Sequence, residues 1–520
     1  MTGLEWATDD LLARRTAATP ERLALTDVDT DRRWTYRELD AAVEALTTRL
    51  PGRPGDRIGV LLSTRPAFVH LLFAAMRADR TLVLLNVEET GSELASKAAR
   101  SDVTALICEE RTEELARESA GDHPVYVLEE VNRDAGSASS LTQLEGGGND
   151  THVLDHDPID LAADESDLLI AFTSGTSGEP KAVRLTPTNL VSSATASAFR
   201  LGVSPDDRWL CCLPMYHMGG LAPVFRSALY GTTVVLQRSF DPKRTGKLLE
   251  TAGVTGVSLV PTMLTRLLEA GWTPGEHLRF VLLGGAPAGE ELLERCRRQG
   301  VPVYPTYGMT ETASQIATTT PEAAFSHPGT VGQPLVCTDV SIIGDDGTPV
   351  GAGETGEIVV SGPTVTPGYL EPERTDAAFG EHGLHTGDIG RRDDDGRLWV
   401  LDRKSDRIVT GGENVDPGEV QAVLEEHPAV TDATVVGLPD PEWGERVGAL
   451  VVDETGAAAD DSSLEPHTLR SFCRKRLAGF KCPKTIALAA SLPRTHSGTV
   501  DREAVEQRLL NEGVDVSSEL

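Results

Sequence analysis

A chain of 520 residues is longer than one hydrophobic core usually organises, so several subdomains are expected, and 39% hydrophobic residues suffice to fold them. Its 80 acidic against 48 basic residues give a formal net charge of −32, which repels nucleic acid and anionic lipid surfaces. A polyanionic ligand would need a local basic pocket. The acid excess runs along the whole chain, and the basic residues are mostly arginine, as in Arg14-Arg15 and Arg297-Arg298. That pattern resembles a halophilic, cytosolic protein, since the Debye length falls to ~3 Å at 1 M salt and self-repulsion is screened. Seven cysteines without a C-x-x-C pair give neither a disulfide framework nor a zinc site. The N-terminus has no basic segment followed by an apolar one, and the most apolar stretch, Phe68 to Leu85, is broken by His70, Arg77, Asp79 and Arg80. A cytoplasmic protein with no signal peptide and no membrane span is expected.

Residues 9 to 17 read as a short helix and Leu23 to Thr26 as a strand. Trp34 opens an amphipathic helix to about Leu50, with Thr35 as N-cap and Glu38 completing a capping box. A strand at Ile58 to Leu62, a helix near 66 to 78 and a strand at Thr81 to Leu85 make a βαβ unit, which argues for a parallel sheet covered by helices. From Asn132 to Asp157 the composition shifts to Gly, Ser, Asp and Asn and reads as an exposed connection.

The short apolar run Asp167 to Phe172 reads as a buried strand ending in Thr173-Ser174-Gly175-Thr176-Ser177-Gly178-Glu179-Pro180-Lys181. Its glycines let successive N–H groups turn toward one anion, its hydroxyls add donors, and Lys181 supplies a mobile positive charge. That suits a polyphosphate. The mononucleotide P-loop is excluded by spacing, because Gly175 and Gly178 are three apart and Lys181 follows Pro180. Read alone, the stretch is equally a Ser/Gly surface turn. Further on, Trp209 to Leu213 is a strand ending in Pro214-Met215-Tyr216-His217-Met218-Gly219-Gly220, and Leu278 to Leu283 a strand ending at Gly284-Gly285-Ala286-Pro287. Tyr304-Pro305-Thr306-Tyr307-Gly308-Met309-Thr310-Glu311-Thr312 follows. Short alternating segments between about 330 and 400 read as a small antiparallel β subdomain that contains His385-Thr386-Gly387-Asp388. The remainder, with strands at Thr434 to Leu438 and Gly448 to Val452 and a helix at Leu469 to Leu477, reads as a compact α+β module.

In this order the motifs resemble those of the acyl-adenylate-forming superfamily, which includes acyl-CoA synthetases, luciferases and the adenylation domains of peptide synthetases. The match runs from about residue 10 to 505. It implies a multidomain α/β and α+β fold: a large N-terminal domain of βα-layered sheets over 1–402, with a β-rich subdomain about 330–400, hinged to a small C-terminal α+β lid domain over 403–520. It also implies roles. Thr173 to Gly178 and Lys181 hold the phosphates, with Thr176 a second candidate beside Glu311 for Mg²⁺, a hard cation that prefers carboxylate and phosphate oxygen. Gly284, Gly285 and Ala286 let adenine lie against backbone, Tyr307 stacks on it, Gly308 and Met309 flank it, and Thr310 donates to the α-phosphate. Asp388 accepts from the ribose hydroxyls and Arg403 contacts the ribose. His217 gates the acyl pocket, while Gly219 and Gly220 let the next helix approach the substrate carboxylate. Ser405 is the hinge, and Gly411 and Gly412 lie in the loop that meets the thiol.

Within the superfamily the finer resemblance is to the o-succinylbenzoate:CoA ligases of menaquinone biosynthesis. It rests on Leu213 to Leu221, on Tyr307 to Ile316 and on Ser405 to Val415. The implied reaction is ATP-dependent activation of a small carboxylic acid to an acyl-AMP, then transfer to CoA. The alternatives are a CoA ligase for another aryl or aliphatic acid, and a nucleotide-binding protein without turnover. The last is motivated by one departure: where the family ends its final motif in a lysine after Ser-Gly, this chain has Ser497-Gly498-Thr499. That lysine steadies charge in the adenylation transition state, a donor worth ~3 kcal/mol or more. Lys481, Lys484 or Arg502 are candidate replacements. None of these motifs encodes an oligomeric state.

Overall fold

The computed structural model describes residues 10–133, 136–143, 166–173, 180–403, 408–410, 413–415, 417–441, 443–453, 464–477, 479–495 and 500–517. They form two compact units: Met1–Ser341 with Val359–Leu384 and Gly396–Leu398, and Ile342–Ile358 with His385–Asp395 and Trp399–Leu520.

The first unit is built on two sheets. One runs in the order Gly136–Gln143, Val125–Arg133, Ala105–Cys108, Arg57–Leu61, Thr81–Leu84, Leu169–Thr173, Lys181–Leu185, parallel through its centre and antiparallel at both edges. The other contains the parallel neighbours Leu23–Asp27, Thr233–Leu236, Arg208–Cys211, Gly256–Leu259, Phe280–Leu283 and Val303–Tyr307. Their central strands are buried along nearly their whole length, as parallel strands covered on both faces must be.

Two helices belong to the core rather than the surface. Pro66–Arg77 is buried at every position from Pro66 to Met76, and Met218–Tyr230 is buried along most of its length. A helix apolar all round has no face to offer water. The two touch edge to face through Phe73 and Phe225, at a ring separation of 6.2 Å, and their cluster takes in Ile58 and Val60 of one sheet and Leu25, Cys211 and Val234 of the other.

The local signals hold where they are chemical. Thr35 and Glu38 form the expected capping box, with the Glu38 amide 3.2 Å from Thr35 Oγ1 and the Thr35 amide 2.8 Å from Glu38 Oε2. The helix spans Tyr36–Thr47, and Trp34 lies instead in the preceding strand Arg32–Thr35. The polar stretch after Asn132 is also not all connection: Gly136–Gln143 pairs antiparallel with Val125–Arg133 as an edge strand. Such a strand is held through backbone hydrogen bonds, which composition does not report.

The second unit has its own core around Val420, Leu424, Val435, Val451, Leu469 and Ile486. Val430–Asp440 pairs antiparallel with Gly444–Asp453, which pairs parallel with Thr485–Ala489, and Pro417–Glu425, Pro466–Arg474 and Arg502–Glu512 are its helices. Among the described residues no helix is long and apolar enough to cross a membrane.

His70 lies inside the first unit, edge-on to Trp34 at 5.8 Å. Burial, aided by the charge of Arg32, pulls its pKa down to about 3. The unfolded imidazole titrates near 6.5, so between the two values only the unfolded chain binds the proton. Stability from this group is therefore complete above the unfolded value and drains away as pH falls toward about 3. Between pH 7 and pH 5 the wild type should lose ~2 kcal/mol more than His70→Gln. Urea unfolding of both proteins at the two pH values measures this, and equal pH dependence contradicts it.

Candidate active site

Lys181 is fixed by pairing. Leu169–Thr173 and Lys181–Leu185 run antiparallel with Thr173 opposite Lys181 and Phe172 opposite Ala182, so the lysine opens the returning strand. Ser174, Gly175, Thr176, Ser177 and Gly178 lie outside the described residues. On its far side this strand is flanked by the segment 366–370. Arg184 donates its amide to Gly368 at 3.1 Å, Leu370 donates to Ala182 at 3.0 Å, and Val183 bridges to Tyr369. The Lys181 ammonium consequently sits 5.2 Å from the centre of the Tyr369 ring.

Tyr369 reaches a second predicted residue. Its Oη donates to Glu311 Oε1 at 3.0 Å, and the two side chains are only 3% and 4% exposed. Burial and the neighbouring Glu311 charge both push the phenol's pKa up, so it stays protonated and remains a donor. The Thr366 amide holds the Glu311 carbonyl at 2.7 Å. Among the described residues Lys181 makes no ion pair. Nearby cations are otherwise engaged: Lys97 lies 5.0 Å from the Phe172 ring but binds Glu89, and Arg100 pairs with Glu371 and donates to the Pro180 carbonyl. Among the described residues the Lys181 ammonium is thus left without a carboxylate beside a predicted polyphosphate loop.

Gly284, Gly285 and Ala286 follow Phe280–Leu283, whose parallel neighbour Val303–Tyr307 aligns Leu283 with Pro305. The pairing carries the small residues alongside Thr306 and Tyr307 at the carboxyl ends of the strands, where open α/β sheets bind ligands. Tyr307 is half-buried, Met309 and Thr310 are partly open, and Thr310–Thr312 is a single 3₁₀ turn. Gly308 admits no substitute, because a Cβ there would lie 1.7 Å from the Ser314 carbonyl oxygen. The chain turns back at Ala313, whose φ of +56° is left-handed, and Ile316 returns its amide to the Tyr307 carbonyl at 2.8 Å.

His217 is the N-cap of Met218–Tyr230, with its ring edge-on to Tyr216 at 4.8 Å. The residue is exposed, yet protein crowds the imidazole. Desolvation, and secondarily the Lys97 charge, lower its pKa and keep it neutral. Gly219 and Gly220 form the first turn of the helix, and a Cβ on Gly220 would meet the Pro214 carbonyl at 2.3 Å.

The same helix carries a residue that the motifs did not single out. Arg226 is 1% exposed and donates to Gln315 Oε1 at 2.8 Å and Ser314 Oγ at 3.1 Å. Its Nε finds no partner, and among the described residues no carboxylate pairs with it. Burial pushes its pKa down to about 10, which still leaves it charged at neutral pH. It lines a small cavity with Leu190, Ser193, Met218, Phe225 and Ala313, and Ser193 Oγ is also buried without a partner. The guanidinium also lies over the Trp209 ring at 5.1 Å, and a buried cation with an open donor and no carboxylate partner suits an anion. The sequence did hold a signal, a lone arginine within the apolar run Leu221 to Tyr230.

In the second unit Asp388, within the strand Gly383–Arg392, is buried and pairs with Arg403 Nε at 3.2 Å. The two expected ribose contacts are therefore neighbours. Of the three candidate substitutes for the departed lysine, Lys481 pairs with Glu419 at 2.5 Å and Arg502 with Asp402 at 3.5 Å, while the Lys484 ammonium lies over the Trp443 ring at 4.3 Å. Ser405, Gly411, Gly412 and Thr499 lie outside the described residues.

A model of the AMP-binding enzyme family matches residues 12–370, and one of the AMP-binding enzyme C-terminal domain matches residues 419–499. The chain belongs to the AMP-binding enzyme family. Among its relatives in this family, the 2-succinylbenzoate–CoA ligase of Geobacillus kaustophilus is 39% identical over 491 residues, covering 93% of this chain and 94% of that one. The ligase of the same name from Bacillus pumilus is 37% identical over 502 residues, with 96% and 97% covered. Among solved structures of the family, the o-succinylbenzoate coenzyme A synthetase of Bacillus subtilis in complex with the acyl-adenylate OSB-AMP superposes with a TM-score of 0.81 at 33% identity, covering 98% of this chain and 99% of that one. The superfamily, the fold class and the finer resemblance drawn from the motifs agree with these relatives.

Proposed function

We propose that the protein is an AMP-forming acid:CoA ligase that converts 2-succinylbenzoate to 2-succinylbenzoyl-CoA, a step of menaquinone biosynthesis. Relatives of that name spanning nearly the whole chain support the reaction, and Arg226 supports the acid. The substrate is a dicarboxylate: one carboxylate reacts, and the other must be held without reacting. A buried guanidinium with an open Nε is suited to the second. The choice of acid rests on the named relatives, with which Arg226 agrees.

The chemistry needs no general base, because the acid is already ionised at pH 7. A carboxylate oxygen attacks the α-phosphorus of ATP, the bond to the bridging oxygen breaks, and pyrophosphate leaves. The thiol of CoA, deprotonated as it reacts, then attacks the acyl carbon of the mixed anhydride and AMP leaves as the thioester forms. Lys181 and Thr310 are assigned to the phosphates, Tyr307 with Gly284 to Ala286 to adenine, and Asp388 with Arg403 to the ribose. The buried Glu311 carboxylate is the hard oxygen donor that suits Mg²⁺, which when bound offsets the triphosphate's charge. His217, neutral by desolvation, would not compete with Lys181 or Arg226 for an anion. The domain boundary near 402, the hinge at Ser405 and the loop at Gly411 and Gly412 belong to this proposal, as do a cytoplasmic setting, where ATP and CoA are held, and tolerance of high salt.

The assay is AMP release with CoA over a panel of acids. Arg226→Met should raise KM for 2-succinylbenzoate by roughly tenfold or more while leaving an aryl monoacid within about twofold. An equal effect on both acids contradicts the assignment of Arg226. If Thr499 leaves adenylation short of a cation, Thr499→Lys should speed acid-dependent pyrophosphate exchange by roughly tenfold or more, and an unchanged rate contradicts that reading.

A further inference from the structure

Tyr369 belongs to none of the motifs that point to nucleotide chemistry, yet it touches two residues that do. Its ring lies under the Lys181 ammonium at 5.2 Å, and its hydroxyl donates to Glu311 at 3.0 Å. The placement is enforced from the backbone: Tyr369 bridges to Val183, its amide is held by Thr375 Oγ1 at 2.9 Å, and Leu370 is bound to Ala182. Just beyond, Glu371 pairs with Arg100, which also holds the Pro180 carbonyl immediately before Lys181. The tyrosine and the lysine are thus tied to one frame.

The arrangement answers a specific electrostatic problem. A buried carboxylate and an ammonium placed together would form an ion pair, and each would then have to be torn from the other before meeting a phosphate or a metal. An aromatic face holds the ammonium through its quadrupole and leaves the charge unneutralised. A neutral phenol fixes one carboxylate oxygen while leaving the group its full negative charge.

We propose that Tyr369 is a positioning residue of the nucleotide site, whose ring keeps Lys181 poised for phosphate while its hydroxyl aims the Glu311 carboxylate at the divalent cation that accompanies the nucleotide. The proposal rests on the nucleotide-binding reading of Lys181 and Glu311. It assigns the two halves of one side chain to two separable tasks. Tyr369→Phe keeps the ring and loses the hydroxyl, whereas Tyr369→Leu loses both.

Calorimetry on the full-length protein tests this, with ATP titrated in EDTA and again over a series of Mg²⁺ concentrations. Tyr369→Phe should bind metal-free ATP within about twofold of wild type but need roughly five- to tenfold more Mg²⁺ for the same gain in affinity. Tyr369→Leu should in addition weaken metal-free ATP by several-fold. In a Glu311→Gln background, Tyr369→Phe should change the Mg²⁺ requirement no further, since the two residues act as a pair. A Tyr369→Phe protein whose Mg²⁺ requirement is unchanged, or whose metal-free and metal-dependent binding fall equally, overturns the proposal, as does an undiminished effect in the Glu311→Gln background. Melting temperatures without nucleotide identify a variant that has merely lost its fold, and Tyr369→Phe is the variant least exposed to that. Wild-type protein that binds no ATP at all would instead overturn the nucleotide reading itself.

Discussion

A positive charge held close to a buried negative one, without the two cancelling, is the condition on which the site depends. Lys181 rests on the face of Tyr369, and Tyr369 hydrogen-bonds to Glu311, so the pair is connected through a neutral ring. The chain carries a net charge of −32, yet among the described residues no carboxylate pairs with that ammonium. Neighbouring Lys97 and Arg100 are spent on Glu89 and Glu371, where they anchor structure. The backbone makes the arrangement possible: antiparallel pairing fixes where the lysine emerges, and the segment 366–370 lies against the same strand.

A second feature gives the first unit its reach. The ten residues from Tyr307 to Ile316 serve both ends of the proposed chemistry. Glu311 faces Tyr369, while Ser314 and Gln315 accept from Arg226. The reversal between them needs a left-handed residue at Ala313 and a glycine at 308, where any side chain would strike the Ser314 carbonyl. The helix Met218–Tyr230 has the same double use, with its N-cap at His217 and Arg226 nine residues on, about 13.5 Å further along its axis at ~1.5 Å per residue. Both elements couple the site to the core, which is why the helix is buried nearly throughout.

Much of this was legible in the order of residues. The capping box at Thr35 and Glu38, the strand Leu169–Thr173, and the glycines ending Phe280–Leu283 each follow from local chemistry that a sequence carries openly. What stayed hidden depends on partners distant in the chain. Tyr369 is 58 residues from Glu311 and carries no local mark of its role. Arg226 did carry one, since a charge inside an apolar helix must be compensated by something, but nothing local names the compensating group. The edge strand Gly136–Gln143 reads as connection in the sequence because its pairing is backbone chemistry, to which composition is blind. Trp34 reads as the start of the helix for a related reason, since its strand pairing with Leu25 outweighs its nearness to the helix cap.

Lys181 is where the account is most directly exposed. Calorimetric titration of ATP at fixed Mg²⁺ into the wild type and into Lys181→Met, both at equal ionic strength, isolates the contribution of this ammonium. Loss of a charge-assisted contact to phosphate should weaken binding by roughly tenfold or more. Equal affinity in the two proteins would mean that the triphosphate lies elsewhere and would contradict the account at its centre.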